Sequence, residues 1–142
     1  MTIDSSTGAY VSVDGLEVSV ADGVLSLTLN RPDSLNSLTA TMLNGIADAL
    51  DSAANDPQVK VVRLAGAGRG FSSGAGIGAD DQAKKAGGLT VLDAANRAIR
   101  SIVALPRPVV AVVQGPAAGV GASLALACDV CLLYTSPSPR DS

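Results

Sequence analysis

A chain of 142 residues with a formal charge of -3 and no histidine is long enough for one domain with its own core. It has no Lys/Arg cluster of the kind that grips a phosphate backbone, no apolar run of the roughly 18 to 20 residues needed to cross a bilayer, and no basic or apolar leader in MTIDSSTGAY, so nucleic acid and membrane are excluded as partners and a cytoplasmic protein is expected. Hydrophobic residues make up 47% of the chain but aromatics only 2%, which calls for a core of Ala, Val, Leu and Ile and suits close helix-to-strand packing.

Residues 16–29, LEVSVADGVLSLTL, alternate between apolar and polar on either side of Asp22-Gly23, the pattern of a half-buried hairpin with its turn at that pair. NRPDSLNS breaks the alternation. From Leu38 the apolar positions Leu38, Met42, Ile46, Ala49, Leu50 and Ala53 fall at helical spacing, with Ser37 or Thr39 as a cap. VKVVRLAG, residues 59–66, reads as a covered strand, and the glycine-rich stretch GRGFSSGAGIG, residues 68–78, follows it. A second amphipathic helix has Leu89, Leu92, Ala95, Ile99, Ile102 and Val103 as its expected buried face and is stopped by LPRP. PVVAVVQG, 108–115, is the next apolar strand, and PAAGVGASLALA, 116–127, the start of a closely packed helix. Strands alternating with helices imply crossover units and an α/β fold, with backbone-rich turns at strand ends where ligands are commonly bound.

LLYTSPSPRDS abandons this periodicity, and its Ser-Pro and Pro-Ser steps resist helix and strand. The expected organisation is an N-terminal extension over residues 1–15, the domain over 16–130, and a tail over 131–142 that is disordered or foreign to the domain.

Side-chain chemistry is scarce. There is no histidine and Glu17 is the only glutamate, so Ser-His-Asp and Cys-His arrangements are excluded and proton transfer is left to Asp, Lys, Tyr or Cys. Cys128 and Cys131 have no second pair, so no metal site is expected and they are read as two unlinked thiols. No GK[ST] follows the glycines, which removes a P-loop, and a dinucleotide fingerprint fits poorly. Backbone remains. Loop 66–78 and turn 115–121 each follow an apolar strand, and the second opens a helix. One N-H group from each could hold a carbonyl oxygen as it becomes an oxyanion. Equally, the glycines could serve only tight turns and close packing.

NRPDSLNSL (30–38), VKVVRLAGAGRGFSSGAGI (59–77) and LPRPVVAVVQGPAAGVGASLALACDV (105–130) together resemble, in the same order, the first half of the crotonase superfamily, the enoyl-CoA hydratases and isomerases. The resemblance implies an α/β spiral of β-β-α units, here truncated, that acts on acyl-CoA thioesters, as in fatty-acid metabolism, and assembles as homotrimers or hexamers. No separate cofactor is implied, coenzyme A being part of the substrate. The oxyanion donors carried over are the backbone N-H groups of Ala75 and Val120, with Val120 standing where the family usually has glycine. Ser34 and Leu35, beside Asp33, and Ser73, Ala75 and Ile77 are the positions implied to line the CoA moiety.

The departures concern proton transfer. Gly76 replaces a frequent aspartate, and Ser123 stands where the hydratases place one of two glutamates, so it is expected to be structural and not catalytic. The second glutamate position falls beyond Ser142. Asp80, Asp81 and Asp93 are expected to be solvated. The tail is therefore read as non-native, from a truncated or mis-joined frame. The competing reading is a non-catalytic acyl-CoA-binding or inactive crotonase-like fragment.

Overall fold

A computed structural model describes residues 10–75 and 91–133. The first hairpin consists of β1 (Leu16–Ala21) and β2 (Val24–Leu29), paired antiparallel with Ala21 opposite Val24. Its two-residue turn carries positive φ at both Asp22 (52°) and Gly23 (81°), the handedness that matches strand twist. Leu16, Val18, Leu25, Leu27 and Leu29 face the core, while Glu17, Ser19, Ser26 and Thr28 take the other face, as the period of two requires.

Helix α1 (Ala40–Ala53) crosses over to β3 (Val61–Gly66), which lies parallel to β2. Thr39, not Ser37, is the cap: its hydroxyl accepts a hydrogen bond from Met42 N at 3.2 Å. Leu38 is buried just ahead of the helix. Helix α2 (Val91–Ala104) returns the chain to β4 (Val109–Val113), and α3 (Val120–Ala127) leads to β5 (Val130–Leu133). The five strands follow chain order across the sheet, all parallel after the first pair. The alternation of strands and crossover helices expected from the sequence is therefore the observed architecture.

Two elements depart from the expectation. The buried face of α2 is Val91, Ala94, Ala95, Ala98 and Ile102, whereas Leu92 and Val103 are 61% and 69% exposed. At 3.6 residues per turn the true face is rotated by about a quarter turn from the one chosen by side-chain size. Small residues win because α2 packs closely on α1, where an alanine admits the neighbouring backbone and a leucine does not. Arg97 locks the same pairing from the rim, donating to Asn44 Oδ1 (3.0 Å), Asp48 Oδ1 (2.7 Å) and Asp51 Oδ2 (3.0 Å). Leu89 lies outside the described residues.

The second departure is α3, which starts at Val120 and not at Pro116. Pro116 O accepts from both Phe71 N and Ser72 N, and Ala118 N donates to Ser72 O. The backbone of 116–118 is thus spent on strand-like pairing with the glycine loop before the helix begins. At the other end, Cys131, Leu132 and Leu133, placed in the tail by the sequence reading, extend β5 alongside Ala111, Val112 and Val113. Residues 134–142 lie outside the described residues.

The face of the sheet turned away from the buried leucines changes character from strand to strand. It carries Glu17 and Ser19 on β1, Ser26 and Thr28 on β2 and Arg63 on β3, then Val110 and Val112 on β4 and Val130 and Leu132 on β5. All four residues of β5 are exposed. Among the described residues β5 is thus an apolar edge strand with an exposed face and no partner on its outer side, which is a template for further pairing. The 142-residue chain is expected to self-associate as concentration rises in sedimentation velocity, and Leu132→Lys to lower that association. A wild-type monomer at high concentration would contradict this.

Candidate functional site

The site is assembled from three irregular segments at the carboxyl ends of β2, β3 and β4. After β2, Pro32–Ser34 forms a 3-10 turn, and Leu35 and Asn36 follow with φ of 54° and 56°. Asparagine tolerates that left-handed conformation better than most residues, and Asn36 has a further reason to be there. It is fully buried. Its Oδ1 accepts from Arg31 N at 2.7 Å, and its Nδ2 donates to Ala67 O (2.8 Å) and Gly70 O (3.0 Å). One amide thereby ties the turn after β2 to the glycine loop after β3.

A second amide holds the loop from the opposite side. Gln114 Nε2, at the end of β4, lies 2.6 Å from Gly66 O, 2.9 Å from Gly68 O and 3.1 Å from Gly70 O. Three carbonyls fix which end of the amide is nitrogen, and Oε1 is buried with no partner among the described residues. Phe71 packs the loop into the core with no exposed surface. Close approach also demands Gly115, where an added Cβ would stand within van der Waals overlap of Arg69 O.

With the loop carbonyls turned toward Asn36 and Gln114, the N-H groups that follow can be accounted for one by one. Phe71 N and Ser72 N donate to Pro116 O, Ser73 N to Leu35 O at 2.8 Å, and Gly74 N to Ser72 Oγ at 3.1 Å. Ala75 N is the next, and among the described residues it meets no acceptor. In the second turn Ala118 N donates to Ser72 O, Gly121 N and Ala122 N to Ala118 O, and Ser123 N to Gly119 O. Among the described residues the N-H groups of Gly119 and Val120 meet no acceptor at the first turn of α3, as orphan donors of a helix start do. The two arms touch: a Cβ added to Gly74 (φ 108°) would lie 3.0 Å from Ala118 O and 3.8 Å from Gly119 Cα.

The structure brings together most of the positions picked from the sequence. Ala75 and Val120 follow directly on the abutting Gly74 and Gly119. Ser73 bridges to the Ser34–Leu35 segment, its hydroxyl donating to Ser34 O at 3.1 Å. Ser123 is exposed one turn into α3 and its hydroxyl donates to Gly119 O at 3.3 Å. Ile77, Asp80 and Asp81 lie outside the described residues. Glu17 is spent elsewhere, accepting from Asn30 Nδ2 at 2.8 Å. Neither 66–75 nor 114–123 contains a carboxylate. Sequence reasoning missed Asn36, Ser72 and Gln114. Only Asn36 carries a signal of its own, as an asparagine in a Pro-Asp-Ser turn.

Other features stand apart from this region. A cleft of about 300 Å3 between α1 and α2, lined by Leu50, Asp51, Arg97 and Arg100 among others, contains no residue of either turn. Among the described residues no three potential ligands cluster as a metal site, and no helix is long and apolar enough to cross a membrane. Both cysteines are free thiols. Burial, with smaller contributions from Cys131 and Asp129, pushes the Cys128 thiol up to about 12, and its Sγ donates to Leu124 O at 3.3 Å. Cys131 is exposed. Since the thiolate is the reactive form, iodoacetamide at pH 8 is expected to modify Cys131 well before Cys128, as read by peptide mass spectrometry.

A profile of the enoyl-CoA hydratase/isomerase family matches residues 19–138. The chain is 38% identical over 122 residues to the 1,2-epoxyphenylacetyl-CoA isomerase of Escherichia coli K12, covering 82% of this chain and 46% of that protein. It is 36% identical over 115 residues to the 2,3-dehydroadipyl-CoA hydratase of the same organism, covering 81% and 44%. Among solved structures, an enoyl-CoA hydratase from Mycobacterium avium subsp. paratuberculosis K-10 superposes with a TM-score of 0.77 at 59% identity, over 88% of this chain and 50% of that one. The chain thus spans about half the length of the proteins it matches.

Proposed function

The chain belongs to the enoyl-CoA hydratase/isomerase family, and from that premise we propose that the backbone N-H groups of Ala75 and Val120 hold the carbonyl oxygen of an acyl-CoA thioester and stabilise the enolate formed from it. The observation that carries this reading is the N-H accounting. Every donor from Phe71 to Gly74 is used inside the protein, whereas Ala75 N and, on the abutting turn, Val120 N beside Gly119 N have no acceptor among the described residues. Free donors held by a braced backbone cost no reorganisation when charge develops on the oxygen, which is where such a pair is worth most. As negative charge moves from Cα onto the thioester oxygen, the two N-H groups lower the energy of the enolate and so make the Cα proton easier to remove. In this reading Ser34, Leu35 and Ser73, joined by the Ser73 hydrogen bonds, lie along the CoA.

The proton itself needs another group. Ser123 is exposed and its hydroxyl bonds its own helix, and neither turn carries a carboxylate. This chain is therefore proposed to bind and polarise a thioester without turning it over. For the whole protein we propose a cytoplasmic homotrimer or hexamer acting in fatty-acid metabolism as a hydratase or an isomerase; both activities are named among the relatives. An isomerase is less affected by serine at position 123, since one carboxylate from elsewhere can carry its proton.

Two measurements test the proposal. Difference infrared spectroscopy of a short 2-enoyl-CoA labelled at the thioester carbonyl is expected to show a downshifted carbonyl band on binding; binding without a shift would overturn the oxyanion assignment. Loss of the enoyl thioester absorbance is expected to stay at the uncatalysed rate with the 142-residue chain, and turnover would show that it carries a proton-transfer group of its own. Binding with a shift but no turnover would also fit the second reading, a non-catalytic acyl-CoA-binding protein, which the missing carboxylates favour.

A further inference from the structure

Ser72 is one of two buried polar residues among those described, with no exposed surface, and it contacts both arms of the site. Its hydroxyl donates to Asn36 O at 2.9 Å and accepts from Gly74 N at 3.1 Å, one residue before Ala75. Its carbonyl accepts from Ala118 N at 3.0 Å, two residues before Val120, and its own N-H donates to Pro116 O. On the other side of Val120, Gly121 lies so close that an added Cβ would come within 2.6 Å of Ser72 Cβ and 2.7 Å of Ser72 Oγ.

We propose that Ser72 is a positioning residue that sets the Ala75 and Val120 N-H groups relative to each other. This deepens the oxyanion reading and rests on it for its functional meaning, but the geometric claim stands on the free protein. The hydroxyl is used in both senses at once: it gives its proton to Asn36 O and its lone pair to Gly74 N. Gly74 has φ of 108°, a conformation that glycine alone holds readily, and within the described residues Ser72 Oγ is the acceptor that pins its N-H. Ser72 cannot slide to relieve strain on one arm without moving the other, because Pro116, Ala118 and Gly121 grip its backbone and side chain. The contact with Gly121 is close enough that a side chain on Gly121 would displace Ser72.

The experiment records the amide resonances and amide exchange of the 142-residue chain for wild type, Ser72→Ala and Ser72→Cys, with the bound thioester carbonyl band measured on the same samples. In Ser72→Ala, exchange at Gly74 is expected to rise about tenfold with loss of its hydrogen bond. The Ala75 and Val120 amide resonances, neither bonded to Ser72, are expected to move together. Ser72→Cys, which keeps a weaker donor and acceptor, moves both by less in the same direction and decides the matter if the alanine variant does not fold. The carbonyl downshift is expected to shrink in the order wild type, cysteine, alanine. A change confined to Gly74, or to one arm, overturns the proposal. Absence of acyl-CoA binding by the wild type overturns the oxyanion reading alone, because the paired amide shifts still decide the role of Ser72.

Discussion

Replacing Val120 with proline is expected to remove about half of the carbonyl downshift of a bound enoyl thioester while leaving the fold in place. Val120 is the first residue of α3, the one helical position where proline is favoured, because its missing N-H has no intrahelical partner to lose. The preceding residue also suits it. Gly119 has φ 54° and ψ -128°, the mirror image of the extended conformation that a residue before proline adopts, and open to glycine alone. The substitution therefore deletes the proposed donor at small structural cost. A neutral hydrogen bond to the ground-state thioester is worth about 1 kcal/mol, so affinity is expected to fall only several-fold. In a protein that completes the reaction, losing one such donor costs about 100- to 1000-fold in turnover. Val120→Ala is the matched control: it keeps the N-H, trims the side chain beside the thioester, and should retain the full shift. A full shift in Val120→Pro would mean that another group, such as Gly119 N-H, holds the oxygen.

The elements legible in the sequence were those decided by local pattern. Asp22-Gly23 between alternating runs, Thr39 ahead of an apolar 3.6 period, and two valine-rich runs ending in glycine each contain their own signal. The face of α2 is different. Leu92 and Val103 are the larger residues, but Ala94 and Ala98 are buried, because proximity to α1 selected small side chains and no periodicity reports that proximity. The start of α3 is set by a contact just as distant in the chain, the pairing of Pro116 and Ala118 with Ser72. In the site, the glycines disclosed where the backbone is bare but not which N-H groups are free. That depends on the acceptors supplied by Leu35, Pro116 and the Ser72 hydroxyl, and on Asn36 and Gln114 turning the loop carbonyls away. Each of these is an ordinary polar residue until the chain has folded around it.

Asn36→Ala is expected to be the most damaging single change among the residues that brace the site, with a loss of roughly 3 to 5 kcal/mol in denaturant unfolding. The amide makes three hydrogen bonds, and their loss is unequal. Gly70 O keeps Gln114 Nε2, but Arg31 N and Ala67 O, both part-buried, lose the partner described for them, and each of the amide's hydrogen bonds is worth about 1 kcal/mol. Alanine must also hold φ of 56°, at roughly 1 kcal/mol. Asn36→Gly separates the two contributions, since glycine adopts that φ freely but lacks the amide. It should recover about 1 kcal/mol relative to alanine and remain well below wild type. Asn36→Asp keeps the acceptor for Arg31 N but turns an anionic oxygen toward Ala67 O and Gly70 O, so it is expected to be at least as unstable as alanine at neutral pH and to recover as the carboxyl protonates in acid. If glycine restored full stability, the left-handed backbone alone would explain the residue and the amide clamp would be dispensable. If all three variants stayed low in the order predicted, the clamp is what holds the glycine loop against the turn after β2, and the placement of Ala75 depends on it.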